Sequence, residues 1–228
     1  MIKRKELAGM FDHTLLKADA RTEDFIRLCQ EAKENGFAMV AVNSAPVKLC
    51  AELLKDSPVH VGAAIAFPLG QTTIPVKIFE TQEAIKDGAD EIDYVINLRE
   101  VKAGNWLYLE EEMKSIVALC RTKGVISKVI FENCYLSEEE KHRLCAIART
   151  VKPDFVKTST GFGSGGATVE DIELMSSLVN GCCAVKAAGG IRDWLTCKKM
   201  IEAGATRIGT SSALAILAGY DQDETLTH

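Results

Sequence analysis

Hydrophobic and polar positions along this chain alternate between two regimes. Short runs rich in β-branched and apolar residues are each followed by a longer stretch with apolar positions three and four apart. The short runs predict strands over 10–14, 39–43, 61–66, 91–96, 127–132, 155–158, 184–188 and 207–210. The longer stretches predict helices over 22–35, 46–55, 75–87, 106–123, 138–151, 169–179, 193–202 and 212–218. Punctuation supports these limits. Gly36, Gly88, Gly124 and Gly204 each follow a helical stretch, as a C-terminal cap would. Ser137 with Glu140 has the spacing of a capping box. Pro46 and Pro75 stand where a first helical turn tolerates proline. Eight β–α pairs have two main closures, an open doubly wound sheet or a (β/α)₈ TIM barrel. The count of eight favours the barrel.

Composition narrows the setting. The chain has 228 residues, 47% of them hydrophobic, which suits one domain spanning 1–228 with a sizeable core. No Pro/Gly/Ser-rich linker divides it. The formal net charge of −5 argues against general binding to nucleic acid or anionic membranes. An anionic small molecule would need a local pocket built against that field. Charged residues interrupt the first positions at once, leaving no signal-peptide core. No apolar run approaches the ~18 residues of a membrane helix. The eight cysteines are scattered, without a C-x-x-C pair. Small buried hydrophobes in a reduced, cytoplasmic protein are the expectation.

The strands break their own rule in an informative way. A strand of a buried parallel sheet should be apolar on both faces. Yet Glu91, Asp93 and Val95 share one face of their strand; Lys128, Ile130 and Glu132 share another. Phe155 and Lys157 form a third such face, and Ala184, Lys186 and Ala188 a fourth. One strand lysine is as readily half of a structural ion pair as a functional group. Four strands that aim three lysines and an aspartate into one barrel are harder to dismiss. Near neutral pH, only about one free lysine in a thousand or fewer is the neutral, nucleophilic amine. Desolvation and a neighbouring ammonium both lower the pKa. A lysine pair therefore makes one member nucleophilic and leaves the other to move protons, with Asp93 in the relay. That is Schiff-base chemistry on a carbonyl.

Two loops suggest what binds. Gly189 and Gly190 follow the Lys186 strand, and Gly209 within the last strand leads into Ser211 and Ser212, each segment opening a helix. Small residues there let backbone N–H groups reach a phosphate, in the position barrels often use for one. The segment 161–166 also matches G-x-G-x-x-G, but the acidic residue a dinucleotide site wants about twenty positions on is missing. Histidines stand only at 13, 60, 142 and 228, without metal-site spacing, so neither metal nor cofactor is expected.

Seven segments together resemble the deoxyribose-phosphate aldolase family. They are Asp12-His-Thr-Leu-Leu16, Phe67-Pro-Leu-Gly70, Gly88-Ala-Asp-Glu-Ile-Asp93, Lys128-Val-Ile-Phe-Glu132, Phe155-Val-Lys-Thr-Ser-Thr-Gly161, Val185-Lys-Ala-Ala-Gly-Gly-Ile-Arg192 and Gly209-Thr-Ser-Ser212. The resemblance implies a metal-free aldolase that reversibly cleaves 2-deoxy-D-ribose 5-phosphate to acetaldehyde and D-glyceraldehyde 3-phosphate. It implies Lys157 as the Schiff-base lysine, with Asp93, Lys186 and a water as proton relay. It places Asp12, Thr14 and Lys128 along the pocket, and Gly189, Gly190, Gly209, Ser211 and Ser212 on the phosphate of a phosphosugar. A homo-oligomer, dimer or tetramer, is compatible with it. The chain departs from the pattern at Ala41, Ala66 and Phe162, and it ends Thr-Leu-Thr-His228 without a terminal tyrosine, the last being Tyr220. A phosphosugar isomerase would work with carboxylates and not need Lys157 beside Lys186. A silent phosphosugar-binding protein would keep the glycine loops without both lysines.

Overall fold

Eight parallel strands pair in chain order, and the last closes on the first. The computed structural model describes residues 2–226, and side chains for 2–224. The strands are β1 Phe11–Leu15, β2 Met39–Asn43, β3 His60–Ile65, β4 Glu91–Val95, β5 Ile126–Ile130, β6 Phe155–Lys157, β7 Ala184–Ala188 and β8 Arg207–Thr210. Around them run α1 Arg4–Ala8, α2 Thr22–Asn35, α3 Val47–Leu54, α4 Ile74–Lys86, α5 Leu98–Lys102, α6 Trp106–Lys123, α7 Glu138–Val151, α8 Val169–Val179, α9 Trp194–Glu202 and α10 Ala213–Leu226. The barrel reading holds and the open sheet falls away.

Local chemistry explains the limits. Gly36 and Gly124 end α2 and α6 in the left-handed region, at φ 67° and 68°. Ser137 accepts from the Glu140 N–H, and Glu140 reaches back to the Ser137 N–H, completing the expected box. Alternation then sorts the strand side chains. Val40, Val61, Ile92, Val129, Val156, Val185 and Ile208 join the apolar core beneath the helices. The opposite positions point into the barrel, and there the chemistry collects.

Three elements were not expected: α1, α5 and a 3₁₀ turn over Asn133–Tyr135. Each is five residues or fewer, too short for a helical period to register. The last helix runs to Leu226 rather than stopping at 218. Gly219 sits inside the helix, where an added Cβ would come within 3.0 Å of Trp194 Cβ. Tyr220 packs edge-on against Trp194 and donates to the Ile2 carbonyl. The final residues, His228 among them, lie outside the described residues. Among those described, no helix is long and apolar enough to cross a membrane. All eight cysteines are free, and five are buried.

Candidate active site

Sheet register decides which side chains meet. Asp93 on β4 is the direct neighbour of Lys128 on β5, and Lys157 on β6 that of Lys186 on β7. Asp93 stands at the centre. Its Oδ1 accepts from Lys128 Nζ at 2.5 Å. Its Oδ2 accepts from Lys157 at 2.7 Å and from Lys186 at 2.6 Å. Lys186 also lies against Asp12, and Lys128 reaches Glu91 at 2.5 Å. Arg207 at the start of β8 holds Asp12 at 2.7 Å and Glu91 at 3.2 Å. His60 meets Glu91 from outside at 2.7 Å. Four fixed cations (Lys128, Lys157, Lys186 and Arg207) thus share three carboxylates.

Within this cluster one lysine is drawn toward its neutral form. Lys157 is drawn down to about 8. Burial is the largest cause; Asp93 opposes it, and the Lys186 and Lys128 ammoniums add to it. Lys128 behaves oppositely. Burial disfavours its charge, but Asp93, Glu91 and Asp12 outweigh that and raise it. Burial alone would raise Asp93, yet the three ammoniums, Lys128 first, hold it well below the usual carboxylate range. At a pKa of about 8, roughly one Lys157 in ten is a neutral amine at pH 7, on the order of a hundredfold more than for a free lysine.

A cavity of about 300 Å³ opens at the C-terminal ends of the strands. Lys157 and Asp93 line it, with Thr14, Ala41, Ala64 and Phe67. The Phe67 ring lies 5.3 Å from Lys157 Nζ. Gly189, Gly190, Gly209 and Ser211 form another part of the wall, beside Thr160, Gly161, Phe162, Lys17 and Arg192. The charged lining is three cations and one carboxylate, a local field opposite in sign to the chain's net charge.

The structure thus brings Lys157, Lys186 and Asp93 together. It separates the other expected pocket residues into two groups. Thr14 lines the cavity, and its hydroxyl donates to the Asp12 carbonyl at 2.9 Å. Asp12 and Lys128 are fully buried inside the charge cluster, outside the lining, as is Lys186. Ser212 is not among the lining residues, and its N–H donates to Thr210 Oγ1. Small side chains make these fits possible. An added Cβ at Gly209 would come within 3.1 Å of Lys186 Cε. Among the described residues, no three His, Cys, Asp or Glu side chains are grouped to hold a metal ion.

A family model for the DeoC/LacD family aldolases matches residues 7–219. The chain belongs to that family. Among curated members, the deoxyribose-phosphate aldolase of Bacteroides thetaiotaomicron is 51% identical over 218 residues, covering 96% of this chain and 92% of the relative. That of Lactobacillus acidophilus is 53% identical over 211 residues, covering 92% and 89%. A solved structure described as a unique tetrameric deoxyribose phosphate aldolase, from Aeropyrum pernix, superposes with a TM-score of 0.90 at 32% identity, covering 96% of this chain and 92% of that one.

Within this aldolase site, sequence reasoning missed Arg207 and left Glu91 unassigned. Both had a signal. Glu91 lies two residues before Asp93, on the same strand face, and Arg207 opens the strand that carries Gly209. Arg192 and Lys17 also line the cavity without having been singled out. Glu132 does not join Lys128. Its backbone turns left-handed, at φ 54°, which breaks the strand alternation and sends its carboxylate to Thr160.

Proposed function

We propose that the chain catalyses reversible cleavage of 2-deoxy-D-ribose 5-phosphate to acetaldehyde and D-glyceraldehyde 3-phosphate, with Lys157 as the covalent nucleophile. One observation carries this reading. A lysine drawn down to about 8 lines a cavity and shares a carboxylate oxygen with a second lysine. The curated relatives, named for this substrate, support the choice of sugar.

The chemistry follows from that arrangement. The neutral Lys157 amine adds to the aldehyde carbon C1, and loss of water leaves an iminium. The iminium is an electron sink. Removal of the C3 hydroxyl proton lets the C2–C3 bond break, its electron pair passing into the iminium to give an enamine. Glyceraldehyde 3-phosphate departs. Protonation of the enamine at C2 restores the iminium, and water releases acetaldehyde and the amine. Protons move among Lys157, Asp93, Lys186 and a water in the cavity. Asp93 is a weak base when held so far ionised. Its contribution is the oxygen that both lysines contact, a short path between them.

The phosphate is assigned to Gly189, Gly190, Gly209, Ser211 and Ser212, with Arg192 and Lys17 supplying positive charge nearby. The backbone N–H groups of small residues at two helix N-termini suit a tetrahedral dianion. Free cysteines fit a cytoplasmic setting, and the tetrameric relative supports a homo-oligomer.

Borohydride reduction in the presence of substrate, followed by peptide mass spectrometry, tests the reading. A reduced two-carbon or sugar adduct on Lys157 is expected. Substrate turnover with no adduct on that residue sinks it.

A further inference from the structure

The site just described leaves one buried carboxylate without a task. Glu132 is 1% exposed and lies two residues past β5, at the start of the 3₁₀ turn, with φ 54° and ψ 61°. Such a backbone is costly for a residue with a side chain, and it persists where surrounding contacts demand it. The contacts are visible. Both Glu132 oxygens accept from the Thr160 N–H, at 3.2 and 3.3 Å, and Oε2 also accepts from the Thr160 hydroxyl. Thr160 Oγ1 in turn accepts from the Phe162 N–H at 3.0 Å.

We propose that Glu132 is a positioning residue for the phosphate-bearing end of the substrate, acting through Thr160 on the turn at 160–162. The proposal rests on the phosphosugar reading above. That turn follows the Lys157 strand directly and lines the cavity beside Gly189 and Gly190. Two of its three amides are already engaged, Thr160 by Glu132 and Phe162 by the Thr160 hydroxyl. Gly161, between them, lines the cavity, so the clamp fixes a residue of the cavity wall from both sides. The far end of the loop is fixed to the Gly189 segment itself. The Ala167 N–H donates to the Ala188 and Gly189 carbonyls at 3.0 and 3.1 Å. Gly166 packs so closely that an added Cβ would lie 2.3 Å from the Gly189 oxygen. The loop is therefore held between Glu132 and the glycine wall to which the phosphate is assigned.

A carboxylate suits this task for a specific reason. Burial raises the Glu132 pKa, and the two Thr160 donors oppose that by favouring the ionised form, which accepts only and so receives the hydrogen bond of the Thr160 hydroxyl. Its lone pairs then face the Phe162 N–H. A glutamine could present its NH₂ instead and release that order.

The test compares 2-deoxyribose 5-phosphate with unphosphorylated 2-deoxyribose in the wild type, Glu132→Gln and Thr160→Val. Taking the ratio of the two kcat/KM values cancels any change in the folded fraction. The ratio should fall about tenfold in each variant, mainly through KM for the phosphorylated sugar, because Thr160→Val removes both hydroxyl hydrogen bonds of the clamp and Glu132→Gln removes their fixed order. Inhibition by inorganic phosphate should weaken by a similar factor. The double variant should lose little more than either single one. Equal losses on both sugars, or an unchanged ratio, overturn the proposal. A wild type that cleaves neither sugar overturns the aldolase reading instead.

Discussion

Two of the buried lysine–carboxylate clusters among the described residues share their chemistry and differ in their setting. One fills the barrel around Asp93. The other is the Lys77–Glu112 pair, packed between α4, α6 and the end of β4, with both side chains fully buried. In the outer pair every bond is local and complete. Lys77 Nζ donates to Glu112 at 2.7 Å and to the Val95 carbonyl at 2.6 Å, and Glu112 accepts from the Asn97 N–H at 3.0 Å. Burial lowers Lys77, against Glu112, just as burial lowers Lys157 against Asp93. A depressed lysine is thus not by itself a nucleophile. Two things set Lys157 apart: its cluster holds one cation too many, and it alone of the cluster's cations lines a cavity. Lys77 is one cation bonded to one carboxylate, both fully buried.

The contrast is broken most sharply by removing each lysine in turn. Lys157→Met should abolish both cleavage and borohydride trapping, since no other amine lines the cavity with that geometry; turnover assays by aldehyde release check it. Residual activity within tenfold of the wild type would refute the assignment. Lys77→Met should leave an uncompensated buried carboxylate and cost about 3–5 kcal/mol of stability, while activity per folded molecule persists. Urea unfolding monitored beside activity separates the two effects. Adding Glu112→Leu should recover much of that loss, because a buried pair replaced as a unit is often near neutral.

Lys186→Leu has an intermediate effect. The Lys186 ammonium helps hold Lys157 down, so its removal raises the Lys157 pKa. Each unit of rise cuts the neutral fraction near pH 7 about tenfold. The rising limb of kcat/KM against pH should move to higher pH, and an unmoved limb would count against the coupling. The smallest expected effect has the opposite sign from Lys77→Met. Lys157→Met leaves three cations on three carboxylates and should raise Tm by roughly 2–4 °C, the shift for about 1 kcal/mol in a domain of this size. The linkage has the same sign. The folded-state pKa of Lys157, about 8, lies below its unfolded value near ~10.4. The unfolded chain therefore binds more protons between those values, and the contribution of Lys157 to stability rises with pH across that window.

The scaffold was legible from its eight β–α alternations, and the inward-facing lysines were legible because they violate a strong rule. A parallel strand buried on both faces has no place for Lys157 or Lys186 unless they are used. The inner cluster could be anticipated because period-two alternation fixes which strand residues face inward. The outer pair was not legible. Lys77 and Glu112 lie on helices 35 residues apart, where charges ordinarily face water, and nothing local announces their meeting. Glu132 was misplaced for a related reason. Alternation holds only while the backbone stays extended, and a single left-handed residue ends it. The cavity lining from Lys17 and Arg192 depends on loop paths, which side-chain periodicity does not encode.

The pairing of Lys157 with Lys186 is a register contact between adjacent strands of a sheet that has no edge. The spacing of the two amines is thus inherited from a backbone ladder whose rungs repeat at a fixed interval, not tuned by a loop. Such a barrel has an asymmetric tolerance to insertion and deletion. Helix-to-strand connections on the opposite face can lengthen with little consequence. One residue gained or lost within β6 would turn Lys157 outward to where Val156 now packs, and the proposed nucleophile would leave the cavity in a single step.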